Sequence, residues 1–113
     1  MAMSEAGVRR IALSLPEAAE APHHDMASFR VMGKIFATVP PTSDRVHIFV
    51  NEEETHAYCA EYPGVVEELR WGKRLSGSRV WFRGATQTLL REMLEQAWRT
   101  KAPKKLLAEL EGP

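Results

Sequence analysis

Apolar residues near the start of the chain recur at the spacing of an amphipathic helix. The positions i, i+3, i+4 and i+7 are filled by Val8, Ile11, Ala12 and Leu15. Pro16 ends this predicted helix, because a proline disfavours helical geometry in the residue before it. Residues 19–25, AEAPHHD, follow without a helical period, and we expect them to be irregular or extended.

The period then changes to two, which predicts strands. The alternating apolar positions are Phe29 and Val31 in ASFRV, Ile35, Ala37 and Val39 in KIFATV, and Val46, Ile48 and Val50 in RVHIFV. Met-Gly separates the first two runs, and Gly33 can adopt the positive φ that a tight hairpin needs. The cluster PPTSD turns the chain into the third run. Three strands with short connections predict an antiparallel meander.

Helices flank the remaining strands. Asn51 with three following glutamates predicts a helix start, since Asn caps free amides and carboxylates favour the positive end of the helix dipole. This helix should end near Tyr62, before a Pro-Gly pair. VVEELRW is compatible with a strand or a loop, and SRVWF predicts a strand.

Thr86 predicts the cap of the longest helix, which Pro103 ends. Its apolar stripe consists of Leu89, Leu90, Met93, Leu94, Ala97 and Trp98. A stripe of that width predicts a helix that lies across a sheet or another helix. The segment KKLLAELE predicts a short terminal helix.

The order helix, strands, helix, strands, helix is typical of an α+β protein. We expect an antiparallel β-sheet with the helices packed on one face, which is a two-layer sandwich. No repeat, linker or low-complexity segment divides the chain, so residues 1–113 are interpreted as a single domain. That length suffices for one modest core.

Composition narrows the class of protein. Hydrophobic residues make up 44% and charged residues 27% of the chain, which disfavours disordered and fibrous classes. The lone Cys59 cannot form an internal disulfide and fits a reducing compartment. No apolar run approaches the roughly 20 residues of a membrane span, so we expect a cytoplasmic protein without membrane contact.

Charge is unevenly distributed along the chain, although the formal net charge is +0. Acidic residues dominate positions 1–69, whereas basic residues dominate positions 70–105. The segment RWGKRLSGSRVWFR joins basic side chains to aromatic ones, a combination that suits phosphates and bases. Its candidate nucleic-acid contacts are Arg70, Trp71, Lys73, Arg74, Arg79 and Arg83. Further candidates are Lys101, Lys104 and Lys105 near the end of the long helix, and Arg30 and Lys34 beside the Met-Gly turn.

Metal and catalytic chemistry are weakly represented. In an extended chain His23 and His24 would point to opposite sides, and His56 with Cys59 lacks the further ligands that a zinc site requires. The glutamates at 52–54 could gather divalent cations, but capping a helix explains them more simply. No nucleophile-elbow, phosphate-loop or dinucleotide signature occurs. We therefore expect no enzyme activity, no metal site and no cofactor.

Three segments in order resemble the MmcQ/YjbR family of small bacterial proteins. They are IALSLPEA, APHHDMASFRVMGKIFATV and LLREMLEQAWRTKAPKKL, and the likeness extends over about residues 8–107. The resemblance implies a CyaY-like α+β fold and DNA binding through a double wing motif. The middle segment VVEELRWGKRLSGSRVWFRGA matches the family pattern less well. As the two wings we expect the PPTSD turn and the loop at residues 72–78.

Two functions of different classes remain open. The first is a non-catalytic DNA-binding protein that contacts phosphates through basic loops, with a monomer as the favoured state. The second is a protein-interaction or small-ligand module that uses the sheet face. Convergence of the basic residues in 70–83 and 99–105 on one face would favour the first, and an apolar groove on the sheet would favour the second. A divalent metal on the acidic helix is a third and weaker alternative.

Overall fold

A computed structural model describes residues 3–111 of the chain, and ten helices and strands follow one another within them. In order they are α1 (Glu5–Leu13), β1 (Ala18–His23), β2 (Met26–Val31), β3 (Lys34–Val39), β4 (Arg45–Ile48), α2 (Glu52–Glu61), β5 (Val66–Trp71), β6 (Arg74–Trp81), α3 (Gln87–Lys101) and α4 (Lys104–Glu111).

The six strands form one antiparallel sheet in the order β1-β2-β3-β4-β6-β5. Strands β1 to β4 make a meander, and β5 with β6 makes a hairpin that joins the meander through β4. The opposed residues of that junction run from Arg45 and Trp81 to Ile48 and Ser78. The predicted α+β architecture is confirmed, since the core-forming helices pack on one face of this sheet.

Helix ends follow the local sequence signals. The side chains of Ser4 and Thr86 accept hydrogen bonds from backbone amides in the first turns of α1 and α3. Asn51 and Glu54 form a reciprocal capping box at the start of α2. The acidic run after Asn51 therefore stabilises a helix end, as its position in the sequence predicts.

The core lies between the sheet and the helices. All six predicted apolar residues of α3 are at most 4% exposed, and they pack against one face of the sheet with residues such as Phe29 and Ile48. The indole of Trp98 also donates a hydrogen bond to the carbonyl oxygen of Pro16 at 2.9 Å, which ties α3 to the end of the first helical segment.

Strand β1 is the main element that the sequence pattern leaves undefined. Residues 18–23 pair with β2 at the sheet edge, although Pro22 lacks a backbone donor. An edge strand tolerates proline because one side of its backbone needs no partner. The ambiguous segment after residue 65 is also a strand, and β6 begins at Arg74, earlier than the pattern SRVWF predicts.

Strand β4 is short, and this leaves two hairpins overhanging it. Ile48 at its end is opposite Ala37 and Ser78, so the starts of β3 and β6 both continue past β4 in the same direction. We call residues 30–35 the first tip and residues 70–75 the second tip. The first tip turns through Met32 and Gly33, both with positive φ, as the predicted tight hairpin requires.

We predict that a buried hydroxyl pair couples α2 to the sheet. Thr55 and Ser78 are 0% exposed and their Oγ atoms lie 3.0 Å apart. Replacing Thr55→Val should lower the free energy of unfolding by about 1–3 kcal/mol, because the Ser78 hydroxyl loses its buried partner. The double variant Thr55→Val/Ser78→Ala should cost less than the sum of the single variants.

Urea unfolding of the four proteins measures this coupling. Thr100→Val is the matched control, since that hydroxyl bonds a backbone carbonyl on the exposed surface of α3 and should change stability by no more than about 0.5 kcal/mol. Strict additivity of the two buried substitutions would contradict the coupling.

Candidate nucleic-acid interface

The face of the sheet that carries no helix gathers arginines. Cross-strand partners share a face, and the pairing of His47 with Arg79 and of Arg45 with Trp81 places these four side chains opposite the core. Trp71 and Arg74 are likewise partners on the overhanging hairpin. We call this surface the open face. Its arginines are Arg30 from β2, Arg45 from β4, and Arg74 and Arg79 from β6.

Among the described strands, Glu67 is the one carboxylate that shares the open face. It is opposite Arg79 in the sheet, with 3.8 Å between its Oε1 and the Arg79 Nη1. The same Oε1 accepts a hydrogen bond from the indole of Trp81 at 2.9 Å. The other β5 glutamate, Glu68, points to the helix side, where it bonds His56 of α2. The open face therefore carries more positive than negative charge.

Aromatic rings hold part of this charge in position. The guanidinium carbon of Arg45 lies 5.7 Å from the centre of the Trp81 ring, which is within cation–π range. Arg30 is held differently, because its Nε donates to the Ser28 hydroxyl at 3.1 Å. Each guanidinium has one further partner, since Arg45 Nη1 lies 3.7 Å from the Asp44 carboxylate and Arg30 Nη2 donates to the Pro22 carbonyl oxygen at 3.4 Å.

His47 is the buried polar residue at the centre of the open face. It is 9% exposed, and burial together with the charges of Arg45 and Arg79 lowers its pKa to about 4. The ring is thus neutral near pH 7. Its Nδ1 lies 3.5 Å from the Thr38 hydroxyl, whereas its Nε2 and the neighbouring Arg79 Nε are buried without a hydrogen-bond partner.

A groove opens on this face beside His47. It has a volume of about 320 Å³ and is lined by His23, Met26, Ile35, Thr38, His47, Phe49 and Trp71. His23 and Trp71 come from the two edge strands, so the twist of the sheet brings its opposite corners over the same groove. Trp71 is 64% exposed, an unusual amount for so large an apolar side chain.

Gly77 explains how Phe49 reaches the floor of the groove. A Cβ atom at Gly77 would lie 2.7 Å from the Ile48 carbonyl oxygen and 3.0 Å from the Phe49 Cα. Only the absence of a side chain allows the chain after β4 to pass so close to β6. Phe49 then lies between the two overhanging tips.

The structure brings part of the predicted contact set together. Arg30, Arg74, Arg79 and Trp71 share the open face, and Lys34 and Lys73 lie on the first and second tips. Arg70 is on the second tip as well, but its guanidinium is bonded to the Glu68 carboxylate at 2.9 Å and to the Lys73 carbonyl at 3.0 Å. Its charge is therefore partly compensated.

The remaining predicted contacts lie elsewhere. Arg83 follows β6 at the opposite end of the sheet from the two tips, beside Asp44. Lys101 ends α3, and Lys104 and Lys105 begin α4, where Lys105 lines a surface cavity with Met32 of the first tip. The basic residues of 70–83 and 99–105 thus do not form one patch.

The expected pair of wings is wrong in geometry. The PPTSD turn connects β3 to β4 at the end of the sheet opposite the second tip, so these two segments cannot act from one side. The 72–78 segment is also mostly strand β6 rather than a loop. The hairpin that does extend beside the second tip is the first tip.

Arg45 and His47 are central residues that the candidate set omits. The alternation of RVHIFV contains the signal, since its apolar residues occupy one face and leave Arg45, His47 and Phe49 on the other. The pattern does not reveal that β6 would become the neighbour of β4. Without that pairing, Arg45 cannot be connected to Arg79.

The structure also shows the surroundings of the candidate metal and thiol residues His23, His24 and Cys59. His24 has a φ of 57°, so the chain is turned there and the His23 and His24 rings meet edge to face at 4.6 Å; the expectation that they point apart is wrong. Burial, with the charges of Glu68 and Glu67, raises the pKa of the Cys59 thiol. Within residues 3–111, no three metal-ligating side chains are close enough to hold one ion.

Sequence comparison relates the chain to one protein family. A sequence model of the YjbR family matches residues 13–100, which is most of the chain. A search of curated protein sequences gave no significant match. In the part of the chain that the structure describes, no helix has the length and apolar character needed to cross a membrane.

We predict that His47 makes stability depend on pH. The unfolded ring binds a proton near its ordinary pKa of 6.5 but the folded ring only near 4, so lowering the pH between these values favours the unfolded state. The wild-type protein should lose on the order of 3 kcal/mol more than His47→Gln across this range. Urea unfolding at pH 7.0, 5.5 and 4.5 measures the difference.

His24→Gln is the matched control, because it removes a histidine from an exposed position and leaves the buried surroundings of His47 intact. If the free energy of unfolding changes equally with pH in the wild type and in His47→Gln, the buried ring is not the source of the pH dependence.

Proposed function

The chain belongs to the YjbR family, and we propose that it is a non-catalytic DNA-binding protein. Its contact surface in this proposal is the open face together with the two tips. The observation that carries the proposal is the grouping of Arg30, Arg45, Arg74 and Arg79 against the single carboxylate of Glu67 on the described strands.

Phosphates are the natural partners of such a surface. Guanidinium groups bind phosphate oxygens in bidentate geometry, and Lys34 and Lys73 add mobile charges at the tips. The two tips extend from the same end of the sheet and serve as the wings of the proposal, in place of the PPTSD turn. Lys101, Lys104 and Lys105 are outlying contacts, since α4 lies beside the first tip.

A net charge of zero does not oppose this proposal. Much of the negative charge belongs to the helical layer, including the glutamates at 52–54 that cap α2. Surface charges separated by more than the Debye length, about 8–10 Å at physiological salt, act almost independently. A phosphate on the open face therefore experiences mainly the nearby arginines.

The proposal includes no chemical step. Cys59 is disfavoured as a nucleophile because its raised pKa keeps the thiol protonated. His47 is neutral near pH 7, but its Nε2 is buried. Its Nδ1 lies 3.5 Å from the Thr38 hydroxyl. These features suit binding better than proton transfer.

A small-ligand or protein-interaction module is the second candidate function. The groove beside Trp71 favours it, as does the separation of the C-terminal lysines from the second tip. Salt dependence separates the two candidates, since an apolar ligand or partner would bind with little sensitivity to ionic strength, whereas phosphate contacts release counterions.

We predict steeply salt-dependent DNA binding. If the four arginines each contact a phosphate, the logarithm of the association constant should fall with the logarithm of salt concentration with a slope of about −3 to −4. Fluorescence anisotropy with labelled DNA between low and moderate salt measures the slope. Absence of binding at low salt, or binding that ignores salt, would refute the proposal.

Charge-matched variants locate the surface. Arg30→Gln/Arg74→Gln should reduce the magnitude of the slope by about 2, because two phosphate contacts are lost. Arg10→Gln/Arg91→Gln removes the same charge from exposed positions on α1 and α3 and should change the slope little. Equal effects of the two double variants would assign binding to the overall charge and not to the open face.

A further inference from the structure

We propose that the groove of the open face holds one unpaired base of a single-stranded DNA segment. This inference rests on the proposed DNA binding and deepens it, because it names the form of DNA. It predicts that the protein prefers a single strand with accessible bases over a duplex with the same total number of phosphates.

Trp71 is the exposed aromatic side chain of the groove. Its indole is 64% exposed on the second tip, yet it lines the groove together with buried residues. An exposed indole contributes little to the core and leaves a flat apolar surface in water. Stacking against a base would cover that surface, and aromatic side chains at single-strand sites act in this way.

The size and chemistry of the groove suit one base. A volume of about 320 Å³ lies at the lower end of ligand sites, which suits a single planar ring system. Phe49, Ile35 and Met26 supply apolar walls, while Thr38 and His23 supply polar atoms. A nucleobase has the same combination, with apolar faces and a polar edge.

A polar atom without a partner lies at the groove. His47 lines the groove and its Nε2 lacks a hydrogen bond, as does the Nε of the opposing Arg79. The His47 ring nitrogen can donate or accept according to its tautomer, and a base edge carries groups of both kinds. A base edge in the groove would lie beside the His47 ring, which is one of the groove's lining residues.

Arginines on two strands add charge complementarity to the groove. Arg30 on β2 and Arg79 on β6 flank β3 and β4, which contribute Ile35, Thr38 and His47 to the groove, and three strand spacings amount to about 14 Å. Successive phosphates in one DNA strand are much closer than this, so the two arginines contact different phosphates. A strand that crosses the open face can thus bind phosphates on both sides of a base in the groove.

A duplex does not satisfy these conditions. Its bases are stacked and paired, and extracting one costs unpairing and unstacking energy. A single strand presents a free base without this cost. The groove therefore selects for single-stranded DNA, while the arginines bind phosphates of either form.

Three DNA ligands of equal phosphate number test the inference. They are a labelled oligothymidylate, an abasic oligomer of the same length and a duplex whose total phosphate number matches them, each measured by anisotropy with the full chain. We expect the oligothymidylate to bind about tenfold more tightly than the abasic oligomer, because only it can stack. Trp71→Ala should remove this difference and Trp71→Tyr should restore most of it.

Leu110→Ala is the control for loss of an exposed apolar side chain, since Leu110 is 50% exposed on α4. Circular dichroism verifies that each variant is folded, and the exposure of Trp71 makes its replacement compatible with folding. A tenfold difference that survives Trp71→Ala would overturn the inference.

The remaining outcomes separate this inference from the proposed function. Equal, salt-sensitive binding of all three ligands, or preference for the duplex, overturns the base-binding groove and leaves DNA binding intact. Binding of none of them overturns both. Sedimentation of the protein without DNA adds a further test. If the protein is a dimer and Trp71→Ala makes it a monomer, the groove binds a second copy of the chain, and the inference is overturned.

Discussion

The pairing of β4 with β6 is the contact on which the rest of the molecule depends. Every other strand pair joins neighbours in the sequence, whereas this one brings Ile48 opposite Ser78 across α2 and a complete strand. It merges the meander with the second hairpin and leaves two tips on either side of a short strand. It also unites Arg45, His47 and Arg79 on one surface. Through this junction one core and one open face extend across both parts of the sheet.

The open face shows how a protein of zero net charge can carry a basic surface. In the two-layer architecture, much of the acidic charge lies at the starts and on the exposed surfaces of helices. The arginines lie in the other layer, where they alternate with core residues along the strands. His47 lies between two of these arginines as a neutral ring, so its burial adds no further positive charge. The cost is a buried ring nitrogen without a partner. Such a group is expected where a surface is shaped for something other than stability alone.

Local signals allowed most elements to be predicted, and non-local pairing limited the rest. Asn51 and Thr86 act within one helical turn, so their roles can be read from a few neighbouring residues. Strand alternation shows which residues share a face but not which strand will lie beside them. For that reason Arg79 could be proposed as a contact, while its neighbour Arg45 and the groove could not. β1 escaped detection because AEAPHHD lacks the β-branched and aromatic residues that usually mark strands.

The two edge strands of the sheet affect how copies of the protein behave when they lie close together. A free edge can recruit a strand from another molecule and start aggregation. At β1, Pro22 removes one backbone donor that a seventh strand would need, and at β5 an incoming strand would meet the charged side chains of Glu67, Glu68 and Arg70. Neither edge therefore offers a regular ladder of backbone hydrogen bonds to a strand from another molecule. Copies of the protein at high local concentration can remain separate, because edge-to-edge fusion of their sheets is disfavoured.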